Sequence, residues 1–286
     1  GTWAIGGGSW WGDNDDALSV KAILTAVEQG ITWVDTAPIY GLYHSEEVVG
    51  EALKHLDRDK IILSTKCGLE WRHESPVLHK VVDGVQVYRD LSEKSILEDV
   101  EESLKRLGTD YIDIYYTHNP VRDPAWLEKY PVEDTVRALM DLKKAGKIRC
   151  IGSSNVDPEH IEAYMACGCE IDIIQRKYTI LARGVEENIL PICEKYGMTF
   201  HAYAPIERGL LTGTVTKDRV VPPGDAREDQ AWWAPDKLPH AIDFVDGLKD
   251  ICEEYHCTQT DLAIAFIRHN RPYVNVIYGA RKIKHL

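Results

Sequence analysis

The sequence has no C-x-x-C pair. Its seven cysteines, at 67, 150, 167, 169, 193, 252 and 257, are scattered. Cys167-Gly168-Cys169 is the only close pair, and no histidine stands at metal-ligand spacing beside it, so no metal site is expected. Scattered thiols in odd number fit a reducing compartment, and a cytoplasmic location is expected. Long apolar runs are also missing. Nothing approaches the ~18 residues of a membrane span, and the N-terminus lacks the basic-then-apolar pattern of a signal peptide. Positive charge is in deficit: 33 Lys and Arg against 46 Asp and Glu give a net charge of -13. That argues against non-specific binding to nucleic acid or to anionic membranes. No linker rich in Pro, Gly or Ser divides the chain, so one domain is expected across residues 1–286. At 44% hydrophobic and 28% charged residues, the composition suits a soluble globular protein with a substantial core.

What is present is an alternation of short apolar runs with longer amphipathic segments. Strands are predicted to end near Ile5 and to cover residues 31–35, 60–66, 111–118, 148–154, 171–175, 198–203 and 273–279. Helical periods fall between them, as in "DALSVKAILTAVEQG", "SEEVVGEALKHL", "SEKSILEDVEESLKRLG" and "PVEDTVRALMDLKKAGK". Several begin after Ser, Asp or Pro and end at Gly, as capping requires. Eight nearly continuous apolar strands, each with a helix, indicate a parallel sheet covered on its outside. An open doubly wound sheet is an alternative, but this length fits a closed (β/α)8 TIM barrel better. The chain opens inside what reads as a strand, so further residues are expected before it.

Two long interruptions, 67–92 and 204–240, leave the C-terminal ends of predicted strands. In such barrels that is the catalytic face, and loops of this length tend to be functional or disordered. Polar residues gather at the same ends. Asp35 closes one strand with Tyr40 just beyond it, Lys66 closes the next, and His118 closes a third. Singly, each has a bland reading as a cap or a loop residue. Converging on one mouth, they make a definite chemistry. A lysine ammonium lowers the pKa of a nearby tyrosine, which is ordinarily about 10. A buried aspartate holds that ammonium, and a histidine orients a carbonyl oxygen. Together they would protonate that oxygen as hydride reaches its carbon. Cys67 beside Lys66 lacks a paired histidine, which argues against thiol catalysis.

The glycine run in "AIGGGSWWGD" (residues 4–13) raises a competing idea, a nucleotide-binding loop. A G-x-G-x-x-G fingerprint begun at Gly6 and Gly8 needs glycine at 11, where Trp11 stands. The glycines instead suit a close backbone turn.

With these residues in place, the sequence resembles an aldo-keto reductase. "GITWVDTAPIYGLYHSEEVVGEAL", "STKCGLEW", "SLKRLGTDYIDIYYTHNP", "LKKAGKIRCIGSSN", "AYAPIERGLLTG" and "VIYGAR" resemble that family's blocks in order, over essentially the whole chain. "GLEW" with the later "VYR" is similar to bacterial stress-protein and inositol-dehydrogenase-like members. The resemblance implies Tyr40 as general acid in reduction and base in oxidation, tuned by Asp35 and Lys66, with His118 positioning the carbonyl. It implies that Ser154, Asn155 and Gln175 hold a nicotinamide carboxamide and that Tyr203 stacks on the ring. Ile206, Arg208, Leu210 and Gly213 would lie in a pyrophosphate belt, and Arg227 would fold over the cofactor. The bland alternatives are a capped turn at 154–155 and buried polar side chains at Gln175 and Tyr203.

"GARKIKHL" resembles the adenosine-gripping segment, with Gly279, Arg281 and Lys282 at its start. The two cations suit a 2′-phosphate, so NADP(H) is expected in preference to NAD(H). His285 stands where the family usually has Gln, and the acidic residue and Asn that follow in the family fall beyond residue 286. Either the clamp continues past this point or it is altered.

The substrate is expected to be a sugar, polyol or inosose, stacked by Trp10, Trp11, Tyr43 and Trp71, with His44 or Arg72 reaching its hydroxyls. Loop packing is the competing reading of those aromatics, and Trp232 and Trp233 read either as a flap or as packing. Two other functional readings stay open: a channel-β type regulatory subunit, and a sugar-modifying enzyme that retains its cofactor without net redox turnover.

Overall fold

Residues 1–120, 129–269 and 271–286 are described by the computed structural model. Seven strands form one parallel sheet: β1 (Trp33–Asp35), β2 (Ile62–Cys67), β6 (Ile112–Thr117), β7 (Ile148–Ser154), β8 (Ile171–Lys177), β9 (Thr199–Tyr203) and β10 (Val274–Ile277), in that spatial order. Both faces are covered, which is why their sequences read as unbroken apolar runs rather than alternations. Tyr115 and Ile151 face the helices outside, while Ile114, Tyr116 and Ile173 fill the interior with Trp33.

The helices begin and end where their sequences direct. Ser92 caps Glu93–Leu107 by accepting from the Ser95 amide, and Gly108 ends it in the left-handed region at φ 65°. Its buried face is Ile96, Val100, Leu104 and Leu107, spaced at helical period. Thr258 and Asp261 form a capping box for Gln259–Arg268.

One predicted strand is absent. Trp3–Gly6 is a 3-10 helix, so among the described residues the sheet has seven strands rather than eight. Gly7 and Gly8, at φ 65° and 66°, bend the chain before a strand can extend. Residues 1 and 2 still close the gap. The Gly1 amine donates to the Tyr278 carbonyl (2.7 Å), and the Thr2 amide donates to the Asp35 carbonyl (2.9 Å). The result is a nearly closed parallel barrel of the (β/α)8 type.

The interruption after β2 is folded. Leu69–Glu70 (β3), Leu78–Val82 (β4) and Val85–Arg89 (β5) form a three-stranded antiparallel sheet in the order β3-β5-β4. The interruption after β9 consists of 3-10 turns at Glu207–Thr212 and Ala231–Trp233 joined by bends. No helix among the described residues is long and apolar enough to cross a membrane.

Candidate active site

Asp35, Tyr40, Lys66 and His118 meet at the C-terminal mouth of the barrel. Lys66 is fully buried and donates to both Asp35 carboxylate oxygens at 3.0 Å and to the Thr36 carbonyl at 2.6 Å. Its ammonium lies 5.0 Å from the centre of the Tyr40 ring. The His118 ring meets Tyr40 edge-on, with centroids 5.9 Å apart. Close backbone approach seats Tyr40: a Cβ on Gly6 would lie 2.5 Å from the Tyr40 carbonyl carbon, and one on Gly41 would lie 2.1 Å from the Gly6 oxygen. The glycine run therefore makes a close turn beside the site, as its sequence suggests.

Electrostatics at this floor differ in one respect from the sequence expectation. Burial, and then the Asp35 carboxylate, push the Tyr40 phenol well above its ordinary value of 10. The Tyr203 phenol adds to the rise, and the lysine does not reverse it. Burial also lowers the Lys66 pKa, against the opposing pull of Asp35. Burial and the Lys66 charge hold His118 neutral, well below 6.5. The arrangement thus offers a protonated phenol and a neutral imidazole facing one space.

The residues expected around a nicotinamide are wired to this floor. Gln175 donates to Asp35 Oδ1 (3.1 Å), and Ser154 donates to Gln175 Oε1 (3.3 Å). Asn155, left-handed at φ 58°, donates to the His118 carbonyl (3.0 Å) and accepts from the Tyr203 hydroxyl (2.8 Å).

The loop after β9 carries left-handed backbone at Ala204, Glu207 and Arg208, with φ of 54°, 50° and 57°. Ile206 is half-buried. Leu210 is buried against Trp233 and Leu238. Gly213 packs where a Cβ would meet the Gln259 side chain at 2.1 Å. Glu207 is fully buried, paired with Lys177 and accepting from Thr179 (3.0 Å). Arg227 donates to the Arg208 carbonyl (3.1 Å) and pairs with Asp225 (2.9 Å).

Arg208 itself lies over the Trp3 ring at 4.7 Å, and its Nε is buried with no partner among the described residues. Burial lowers the pKa of this guanidinium. A buried cationic donor without an acceptor is what a dinucleotide pyrophosphate would complete. Further round, Arg281 donates to the Trp11 and Asp13 carbonyls (3.1 and 3.3 Å), and Lys282 is exposed beside it. Gly279 lies against Gly1, where a Cβ would come within 3.3 Å of its carbonyl oxygen.

The expected substrate aromatics are engaged in contacts within the protein. Trp10 and Trp11 both meet Trp3 edge-on, at 5.5 and 5.3 Å, and Lys80 covers the Trp10 ring at 4.1 Å. Tyr43 stacks on Trp71 at 4.4 Å, with the Arg106 guanidinium 4.0 Å above the tyrosine ring. His44 bridges the Gly6 carbonyl (3.2 Å) and Asp16 (3.0 Å), and Arg72 pairs with Glu70 and Asp99. Trp232 and Trp233 pin the loops, donating to the Leu181 and Glu207 carbonyls at 3.1 and 3.0 Å. Cys67 has its thiol pushed well up by burial.

Sequence reasoning overlooked Ser64 and Trp33. The Trp33 indole donates to Ser64 (2.9 Å), which donates to Asp35 Oδ1 (2.8 Å). Ser64 lies two residues before Lys66 on one strand, so period-2 alternation puts both on the same barrel face and was the available signal.

A barrel of this type with such a floor belongs to the class of (β/α)8 enzymes whose chemistry lies at the C-terminal mouth of the strands. The model of the Aldo/keto reductase family matches residues 1–286, and the chain belongs to that family, oxidoreductases acting on carbonyl groups with a nicotinamide cofactor. It is 44% identical over 281 residues to the NADH-specific methylglyoxal reductase of Escherichia coli K12, covering 98% of this chain and 84% of that one. A glycerol dehydrogenase structure from Gluconobacter oxydans matches with a TM-score of 0.86 at 33% identity, covering 99% of this chain and 82% of that one. An aldo/keto reductase from Klebsiella pneumoniae, solved with NADP and acetate, matches with a TM-score of 0.69 at 27% identity, covering 99% and 82%.

Proposed function

We propose that this protein reduces a small, polar carbonyl compound with NADPH and oxidises the corresponding alcohol in reverse. The observation that carries the proposal is the buried Lys66–Asp35 pair beneath the Tyr40 ring, with His118 at its edge. When bound, the nicotinamide supplies or accepts the hydride. Tyr40, kept protonated by burial and by Asp35, gives its hydroxyl proton to the carbonyl oxygen as charge builds there. Lys66 holds its ammonium 5.0 Å from the centre of the Tyr40 ring while donating to Asp35. Asp35 keeps Lys66 in place, and the neutral His118 orients the oxygen. Asn155, Ser154 and Gln175 offer amide and hydroxyl groups to the carboxamide, Tyr203 a ring face, and Arg208 a donor to the pyrophosphate.

Substrate size follows from the mouth. Trp10 and Trp11 meet Trp3 edge-on and carry Lys80 and Arg227 over their rings, and Tyr43 and Trp71 pack on each other, which favours the small end of the sugar and polyol class. Two relatives are named for three-carbon compounds, methylglyoxal and glycerol. The cations Arg281, Lys282 and Lys284 crowd His285 enough to lower its pKa after burial has done so, and this positive cluster supports NADP(H). The NADH specificity in one relative's name makes NAD(H) the competing outcome. Seven free cysteines support a cytoplasmic setting.

Tryptophan-fluorescence titration with both reduced cofactors should show NADPH binding at least about tenfold more tightly. Equal or tighter NADH binding overturns the preference. Turnover is checked with methylglyoxal, glyceraldehyde, dihydroxyacetone and an inosose. Binding of cofactor without oxidation by any of them would overturn the catalytic reading.

A further inference from the structure

The sheet inserted after β2 carries an irregularity that the catalytic reading leaves unused. Leu78 pairs with Tyr88 and Lys80 with Val87, so His79 is the extra residue of a β-bulge in β4. A bulge re-aims a single side chain, and bulges collect beside active sites. This sheet is fastened to the mouth. Asp83 accepts from the Ser9 amide (3.0 Å), Lys80 covers Trp10, and Leu69, Val82 and Val87 pack in one cluster against Tyr40.

His79 makes no hydrogen bond among the described residues, and its Nδ1 is buried without a partner. Burial, reinforced by the charges of Arg89 and Lys80, lowers its pKa to about 3, so the ring is neutral at working pH. His79 and His118 lie close enough that the charge of a protonated His79 would be felt at the His118 ring. A neutral imidazole carries one proton. An orphaned buried N–H is the rarer and costlier defect, so the lone pair falls on Nδ1 and the proton on Nε2.

We propose that His79 is a specificity-determining residue of this site, donating its Nε2–H to an oxygen on the carbon next to the reacting carbonyl. The chemical class it selects is the vicinally oxygenated carbonyl, such as 2-oxoaldehydes and hydroxyketones, over plain aldehydes and ketones. The proposal rests on the carbonyl-reductase reading above.

The test compares kcat/KM for methylglyoxal and propanal in the wild type and in His79→Phe, His79→Gln and His79→Asn. Taking the ratio of the two substrates cancels their intrinsic reactivity. The ratio should fall roughly tenfold in His79→Phe, which keeps the ring and loses the donor. His79→Gln, whose amide nitrogen reaches the Nε2 position, should restore it. His79→Asn, whose amide stands where Nδ1 does, should not, and it serves if the Phe variant fails to fold. Propanal turnover should stay within twofold throughout. An unchanged ratio, or an equal drop on both substrates, overturns the role of His79 and leaves the carbonyl-reductase reading standing. A wild type that reduces neither substrate overturns both.

Discussion

At the floor of the mouth, the Asp35 carboxylate accepts hydrogen bonds from Lys66, Ser64 and Gln175. At the rim, the half-buried Arg208 keeps its Nε buried and unpartnered among the described residues, on a loop with left-handed backbone at Ala204, Glu207 and Arg208. Around Asp35 the floor's polar groups satisfy one another within the protein alone. The rim holds strain, on the order of 1 kcal/mol for each such residue, and a donor with nothing to donate to. The difference separates two tasks. Proton transfer needs groups already positioned, whereas a cofactor site gains by leaving donors for its ligand to complete.

Four changes would break or sharpen this contrast. The largest effect should come from Tyr40→Phe, with kcat/KM for carbonyl reduction falling about 10³-fold, roughly 4 kcal/mol. Cofactor affinity should stay within twofold. Activity retained to within tenfold would mean that another group is the acid.

Lys66→Met should cost about 3 kcal/mol of folding stability in urea titration, because Asp35 is left buried without its cation. That is the lower end of the range for a broken buried pair, since Ser64 and Gln175 still donate to Asp35. A loss below about 1 kcal/mol would contradict the floor's dependence on this ion pair.

The third change concerns acid. Beneath the floor His201 accepts from or donates to the Tyr116 hydroxyl (2.7 Å), and burial lowers its pKa from 6.5 to about 3. Between those values the unfolded chain binds a proton that the folded ring refuses. Stability is therefore intact above about pH 6.5 and drains away as pH falls towards 3, by up to about 1.4 kcal/mol per pH unit from this group. His201→Gln should make the wild-type slope shallower by about one proton in that window. An unchanged slope would mean that His201 charges in the folded state.

The smallest effect belongs to the rim. Arg208→Leu removes a half-buried cation that has no acceptor for its Nε, so stability in the ligand-free protein should change by less than about 0.5 kcal/mol. NADPH affinity should weaken about tenfold, or roughly 1.4 kcal/mol. A large loss of stability with unchanged affinity would reverse the comparison and make Arg208 a structural residue.

Much of this was legible in the chain. The runs ending at Asp35, Lys66, His118 and Ser154 are strands or strand ends, because a covered parallel sheet writes itself as apolar blocks with polar stops. Ser64 was missed although its spacing of two from Lys66 put both on one barrel face, because a serine inside an apolar strand reads as filler until its partner Asp35 is seen. The segment at Ile5 was misread because an apolar run of that length does not distinguish a strand from the 3-10 turn that Gly7 and Gly8 impose. Residues 67–92 read as a loop, yet their alternation at Val85–Arg89 was enough for a hairpin that also uses Leu78–Val82.

Local pattern in the sequence determined the parallel barrel, its caps and the strand ends at which the chemistry gathers, since burial on one face leaves a period that the chain itself displays. Tertiary structure alone decided that Trp10 and Trp11 would meet Trp3, that Lys66 would donate to Asp35, and that a bulge would set His79 apart on β4. Those outcomes depend on which loops pack against each other across the mouth, and no period along the chain records a contact made between segments so far apart.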